Sequence, residues 1–322
     1  MKDGYGREIN YLRISLTDRC NLRCRYCMPD GITPVEHCQI LTYEEILRVA
    51  ECAVSLGITR FKLTGGEPLV RRDCPQLAAK LKALPGVEQV TLTTNGILLP
   101  LHLDELAKAG LDGVNVSIDA LCPERYSAIT GWRGETPDWE ELLRRCVKQS
   151  WNTKVNVVLQ QENRTEWALL ARLAERLPVD VRFIELMPLG YGGKCDSVGA
   201  EKALEELKQF WPDLHPVQEH RGNGPARYFA AQGLRGRIGL IDAVSHKFCA
   251  NCNRVRLTST GWLKPCLCYE EGTDLRALLR SGCDNRMLTA AIAEAISRKP
   301  AAHCFEQRSQ ITEHKTMSQI GG

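Results

Sequence analysis

Three thiols fall within one eight-residue stretch, Cys20, Cys24 and Cys27, at a C-x3-C-x2-C spacing. Soft thiolates this close together suit either tetrahedral zinc or an iron–sulfur cluster, and both normally take four protein ligands. Three leave one metal position open, or call on a distant fourth cysteine or histidine. A second trio, Cys249, Cys252 and Cys266, has C-x2-C-x13-C spacing and again shows three patterned ligands. Zinc completed by Cys268 or His246 is the plainer reading of that second group. Arg254 and Arg256 alternate on one face beside it, which a purely structural zinc site does not require.

The remaining cysteines decide little. Fifteen in a chain of 322 residues would indicate disulfides only in a secreted protein. The N-terminus has no apolar run of the signal-peptide kind and no segment approaches a membrane span, so the expectation is a cytoplasmic protein with neither membrane nor nucleic acid as partner. A net charge of +3 agrees, because any polyanion site must then come from local clustering. Cys38, Cys52, Cys74, Cys122, Cys146, Cys195, Cys283 and Cys304 are scattered singly and read as small buried hydrophobes. Cys268 fits neither group.

The elements that must position the first trio come next. Strand-like segments at 11–17, 60–65, 88–95, 113–119, 154–160 and 180–187 alternate with helical patterns near 42–56, 74–84, 101–109, 138–150, 165–177 and 199–210. Strict alternation implies βαβ units and a parallel sheet. Six units are too few for a closed eight-unit barrel, so the expected fold is α/β, an open partial (β/α)6 barrel of the TIM type with a C-terminal extension. The first trio then lies on the loop after the first strand. Residues 212–236, rich in Pro, Gly and Arg, read as a crossing loop.

The strands also alternate in chemistry. Leu12, Ile14, Phe61, Leu63, Val114, Val116, Val155 and Val157 suit packing under helices, while Arg13, Lys62, Thr91, Thr93, Asn115, Ser117, Lys154 and Asn156 share the other face. A barrel interior is normally filled by branched apolar side chains. A polar one is costly unless a polar ligand pairs with it. Arg13, Lys62 and Lys154, with Arg182 from the sixth strand, are cations converging from four strands, as a polyphosphate would require. No Walker-type loop occurs, so side chains would grip the phosphates. After the second strand, Gly65-Gly66-Glu67-Pro68 offers close backbone approach and a carboxylate able to accept from an ammonium group.

With Tyr26 before its last cysteine, the first trio resembles the C-x3-C-x-[aromatic]-C signature of the radical S-adenosylmethionine (SAM) enzymes. The resemblance implies a [4Fe–4S] cluster on Cys20, Cys24 and Cys27 whose fourth iron chelates SAM, with Tyr26, Gly65, Gly66, Glu67, Ser117 and Met187 as SAM contacts. Stretches at 12–29, 64–73, 114–119, 182–188 and 249–266, and a terminal Gly321-Gly322, are similar over essentially the whole chain to the GTP 3′,8-cyclase family of molybdenum cofactor biosynthesis. That similarity implies a second [4Fe–4S] cluster on Cys249, Cys252 and Cys266 with an iron left free for guanine. GTP would contact Arg13, Lys62, Thr93, Lys154, Arg254, Val255 and Arg256, and Arg182 would assist the final reduction. The C-terminal tail would fold into the active site.

The family further implies a lyase acting as a homodimer, an electron donor such as flavodoxin or ferredoxin, and transfer of product to cyclic pyranopterin monophosphate synthase. Residues 4–225 are then the radical SAM core, and 226–322 a C-terminal domain with the auxiliary cluster and the Gly-Gly tail. Lys62 stands where many relatives have arginine, and neighbouring Arg60 is a candidate to share its work. Two rivals remain: a radical SAM enzyme acting on a peptide or other small molecule, and a non-catalytic zinc or RNA-binding module.

Overall fold

The computed structural model describes residues 1–32 and 35–321. Six strands, β1 (Tyr11–Ser15), β2 (Arg60–Thr64), β3 (Gln89–Thr94), β4 (Gly113–Ser117), β5 (Asn152–Leu159) and β6 (Asp180–Glu185), lie side by side in chain order and run parallel. The register keeps parity across the sheet. Leu12 lies beside Phe61 and Phe61 beside Val90, while Arg13 lies beside Lys62 and Lys62 beside Thr91. Because successive side chains point to opposite faces, one residue of slip would turn the cations into the core.

Between the strands run α1 (Tyr43–Ser55), α2 (Cys74–Lys82), α3 (Leu99–Lys108), α4 (Pro123–Thr130), α5 (Trp139–Lys148), α6 (Trp167–Ala171), α7 (Leu173–Arg176) and α8 (Ala200–Lys208). The start of α1 is fixed by a capping box, with Glu45 N–H on Thr42 Oγ1 at 3.2 Å and Thr42 N–H on Glu45 Oε2 at 2.7 Å. The helices cover the apolar face of the sheet, where Leu12, Ile14, Phe61, Leu63, Val114, Val116, Val155 and Val157 are at most 1% exposed. Helix α4 was not legible in the sequence, since its eight residues include Ser, Thr and an N-terminal Pro and give only a weak apolar stripe.

The C-terminal third enlarges this sheet at both edges. Beside β6 runs β9 (Ile238–Ile241), parallel, reached through an antiparallel hairpin of β7 (His215–Val217) and β8 (Arg227–Ala230). Beside β1 runs β10 (Arg254–Leu257), also parallel, followed by β11 (Trp262–Lys264) and β12 (Thr273–Asp274). The result is one open twelve-stranded sheet with β7 and β12 at its edges. Residues 212–236 therefore hold two short strands rather than only a loop; β7 tolerates Pro216 because an edge strand has unpaired donors to spare. Residues 226–322 form no separate sheet. They flank the six-strand core on both sides and end in α9 (Leu275–Arg280), α10 (Asn285–Ser297), which packs against α1, and α11 (Met317–Ile320). No helix among the described residues is long and apolar enough to cross a membrane.

Candidate active site

The first trio is held by the loops beside it. Gly66 N–H donates to Thr17 O at 2.7 Å and Glu67 N–H to Arg19 O at 2.9 Å, so the loop after β2 runs against the cysteine loop after β1. A Cβ on Gly65 would sit 2.6 Å from Thr17 O, and one on Gly66 2.4 Å from Arg19 O. The glycine pair is thus required by contact with the cysteine loop itself. From the other side α4 offers the carbonyls of Thr130 and Ile129 to Arg23 N–H and Arg25 N–H, at 2.7 and 3.0 Å. Cys27 and Met28 then turn back onto Cys24 O, at 2.9 and 3.0 Å.

Burial pushes the Cys20 thiol up to about 11, that of Cys27 to about 12, and that of Cys24 well above its ordinary value. Three thiols so placed stay protonated unless a cationic centre binds them, so the donor set fits a soft metal cluster. The Glu67 carboxyl, raised by burial to about 7, accepts from Asn95 N–H (2.7 Å), Leu69 N–H (3.0 Å) and Thr94 Oγ1 (2.8 Å). Roughly one of its four acceptor positions is left for an ammonium group. Tyr26 donates its hydroxyl to Asp119 Oδ2 at 2.7 Å, and burial raises the Asp119 carboxyl to about 6.

The second trio depends on partners far away in the chain. Cys249 and Cys252 bracket one helical turn before β10, and Cys266 follows β11. The Arg7 guanidinium donates to Cys249 O (2.9 Å), Ala301 O (2.8 Å) and Pro300 O (2.6 Å), while its Nε holds Asp3 Oδ2 at 2.6 Å. His303 N–H donates to Cys249 Sγ at 3.4 Å. Lys299 Nζ ties Arg254 O and Pro265 O, at 3.0 and 2.5 Å. Arg254 stacks over Phe248 at 5.4 Å. At Cys252 burial acts to raise the thiol, but Lys299 and Arg254 outweigh it and leave the group below its ordinary value.

Both trios open into one cavity of about 340 Å³, whose wall also includes Thr93, Ser117, Met187 and Arg256. A second space of about 110 Å³ toward the start of the strands shares Arg13, Thr93, Asn156 and Arg254 with it. Lys62, Lys154 and Arg182 line that lower space, and the described residues around it include no carboxylate. Its cations are held in place. Arg182 donates to Asn156 Oδ1 at 2.6 and 3.1 Å, and in the amide orientation that satisfies both ends Asn115 Oδ1 accepts from Lys62 Nζ (2.7 Å) and Arg182 Nη2 (2.9 Å). Lys154 Nζ bonds Asp180 Oδ2 and the Tyr228 hydroxyl, each at 3.0 Å. Burial, reinforced by neighbouring cations, lowers Arg13 to about 10 and Lys62 well below its ordinary value. Asp180 offsets Lys154, and an anionic ligand would relieve the crowding of Arg13, Lys62 and Arg182.

Two side chains considered for the nucleotide lie apart from the cavities. Val255 points to the opposite face of the sheet, 1% exposed within the core under the helices. Arg60 pairs with Glu88 at 3.2 Å, half-exposed and outside the lower space, so Lys62 alone of the two lines it. The tail does enter the site: Gly321 O accepts from Arg256 Nη1 at 3.0 Å, and Met317 and Ser318 line the large cavity. Gly322 lies outside the described residues. Sequence reasoning missed Arg7, Phe248, Lys299 and His303, and placed Asn95 only on the polar inner face of the third strand. Asp3 and Arg7, four apart and both buried, were the one pair with a signal, a charge pair beside the first strand; the others gain their roles only through tertiary contacts.

A family model described as the Radical SAM superfamily matches residues 14–174, and one described as Molybdenum Cofactor Synthesis C matches residues 179–305. A curated protein named GTP 3′,8-cyclase from Moorella thermoacetica is 43% identical over 326 residues, and one of the same name from Heliobacterium modesticaldum is 42% identical over 327; both alignments cover 100% of each chain. Among solved structures, Streptococcus suis SuiB bound to S-adenosylmethionine has a TM-score of 0.66 at 14% identity, covering 97% of this chain and 78% of that one, a likeness of fold. The superfamily implies one [4Fe–4S] cluster and SAM, and the half-buried thiol trio beside Glu67 fits both. Matched along its full length and in both of its parts, the chain belongs to the GTP 3′,8-cyclase family of the radical SAM superfamily.

Proposed function

We propose that this chain converts GTP to (8S)-3′,8-cyclo-7,8-dihydroguanosine 5′-triphosphate, the first step of molybdenum cofactor biosynthesis. The observation that carries the reading is a pair of adjoining spaces with shared walls, two cysteine trios lining the upper one and cations the lower. The cluster and SAM, when bound, supply a carbon radical able to take hydrogen from an unactivated C–H bond. Cys20, Cys24 and Cys27 hold that cluster, and Glu67, the Gly65-Gly66 backbone, Tyr26, Ser117 and Met187 seat SAM. Cys249, Cys252 and Cys266 hold a second [4Fe–4S] cluster that fixes guanine.

Arg13, Lys62, Lys154 and Arg182 grip phosphates and ribose, while Thr93, Arg254, Arg256 and the Val255 backbone orient the nucleotide. Their contribution is positioning: C3′ is presented to the first site and C8 of the same nucleotide is held for ring closure, with water kept out. Arg182, fixed by Asn156 and Asn115, is assigned to assist the closing reduction. A peptide substrate would leave the charge of the lower space unbalanced. The same reading takes residues 4–225 as the core and 226–322 as the part carrying the second cluster. It places a homodimer in the cytoplasm, supplied by flavodoxin or ferredoxin and passing its product to cyclic pyranopterin monophosphate synthase.

The test is turnover of GTP deuterated at C3′ by reduced, anaerobically reconstituted protein with SAM. Deuterium in 5′-deoxyadenosine together with the cyclised triphosphate is expected. Unlabelled 5′-deoxyadenosine with intact GTP would refute the reading.

A further inference from the structure

Cys268 and Cys304 belong to neither trio and line neither cavity. Their sulfurs are 3.2 Å apart, and Cys304 N–H also donates to Cys268 Sγ at 3.3 Å. Around them is a small apolar cluster that includes Leu189, Leu267, Phe305 and Ile320. Leu267 and Phe305, their neighbours in the chain, line the large cavity, so the two thiols lie one side chain behind its wall. Cys268 is therefore no fourth ligand for the second trio. Two small buried hydrophobes would be the plainer account, but packing alone does not require sulfur to face sulfur.

The position of the pair gives it a task. Cys268 is two residues from Cys266, and Cys304 adjoins His303, whose N–H bonds Cys249 Sγ. A bond between them would tie together the two segments that flank the second trio. A disulfide places its sulfurs about 2.05 Å apart, so closure asks for a shift of only about 1 Å.

We propose that Cys268 and Cys304 are a redox-active dithiol that an oxidant of the peroxide class converts to a disulfide, holding the walls of the second trio together while that site is empty. Cys304, the less deeply buried of the two, attacks the peroxide O–O bond and becomes a sulfenic acid as the first water leaves. The other displaces the second water, forming S–S. Two thiols and one hydrogen peroxide thus give one disulfide and two waters, with two electrons passed from sulfur to oxygen. The holding role rests on the proposed cluster at Cys249, Cys252 and Cys266; formation of the disulfide does not.

The experiment treats full-length reconstituted protein with hydrogen peroxide until iron is lost, then blocks it with N-ethylmaleimide in denaturant and digests it. Peptides carrying Cys268 and Cys304 should emerge joined, with the six trio cysteines alkylated. Alkylation of both residues, or Cys268 joined to Cys266, overturns the dithiol. On return of dithiothreitol, ferrous iron and sulfide, wild type should regain iron at both trios, whereas Cys268→Ala and Cys304→Ala should regain it at the first alone. Equal recovery, or failure of both variants to load the second trio before oxidation, overturns the holding role, with iron at the first trio reporting a folded chain. If untreated wild type never binds iron at the second trio, the holding role falls with the proposed function, and the peptide map still decides the dithiol.

Discussion

The two cysteine trios solve one problem in different ways. The first spans eight residues and is braced by its neighbours on the next strand loop and α4. The second spans 249–266, and its supports come from residues 3–7 at one end of the chain and 299–303 at the other. Burial is the largest influence on the first set of thiols, which it raises, whereas Lys299 and Arg254 bring Cys252 below its ordinary value. The first site closes once β1 and β2 pair and α4 docks beside them. A site closed by tertiary contacts forms only when both termini are docked; its cations favour thiolate at Cys252, while burial raises Cys266.

The sharpest way to break this comparison is to remove each trio separately. Alanine at Cys20, Cys24 and Cys27 should abolish 5′-deoxyadenosine formation and leave iron at the second trio. Alanine at Cys249, Cys252 and Cys266 should leave SAM cleavage in place and abolish conversion of GTP. Iron content and product analysis read both, and GTP turnover surviving the second set would remove the role given to that trio.

The same division explains what the sequence revealed. All six core strands and the chemistry of their two faces were legible, because period-two alternation and a regular helix spacing are local signals. The first trio and the Gly65-Gly66-Glu67 loop were legible for the same reason. Strands β7 and β8 were hidden because both are only three or four residues long, β7 carries Pro216, and Pro- and Gly-rich sequence separates them. Phe248, Lys299 and His303 carry no local sign, since each matters only through the element it meets. Val255 entered the nucleotide set through the family resemblance, and alternation along β10 turns its side chain to the other face, leaving only its backbone for that role.

Next in size is Arg7→Ala. It would leave the Asp3 carboxylate buried without its partner and strip Cys249, Pro300 and Ala301 of their donor. Breaking a buried pair by removing one partner costs about 3–5 kcal/mol. Denaturant melting should show that loss, and iron should fall at the second trio while the first stays loaded. Arg7→Lys keeps the charge without the fork and should fall between. Equal loss of iron at both trios would mean that the second is no more dependent on distant contacts than the first.

Truncating Lys62 tests the lower space. A hydrogen bond to a charged group contributes about 1.5–3 kcal/mol, so Lys62→Ala should weaken GTP binding roughly ten- to hundredfold. SAM cleavage without GTP should be unchanged, because Lys62 lies in the lower space and away from both trios. Calorimetric titration with GTP is the measurement, and undiminished affinity would separate the cations from the phosphates.

The smallest effect is a pH dependence at Lys154. Burial, with Arg182 adding to it and Asp180 opposing, lowers this ammonium to about 8. A triphosphate favours the charged form, so affinity for GTP should fall as pH rises through 8, by about tenfold per unit that binding raises the group. Stability of the ligand-free protein should move the other way. A lysine whose folded value lies below its unfolded one contributes stability that is present above about 10.5 and lost as pH falls through about 8. KM for GTP should therefore rise between pH 7 and 9 at nearly constant kcat, while the ligand-free melting temperature gains from the same titration. Lys154→Arg, which stays charged across that range, should flatten the KM profile. A profile as steep in Lys154→Arg as in wild type would assign the titration to another group, and would detach Lys154 from the charge that the lower space presents to its ligand.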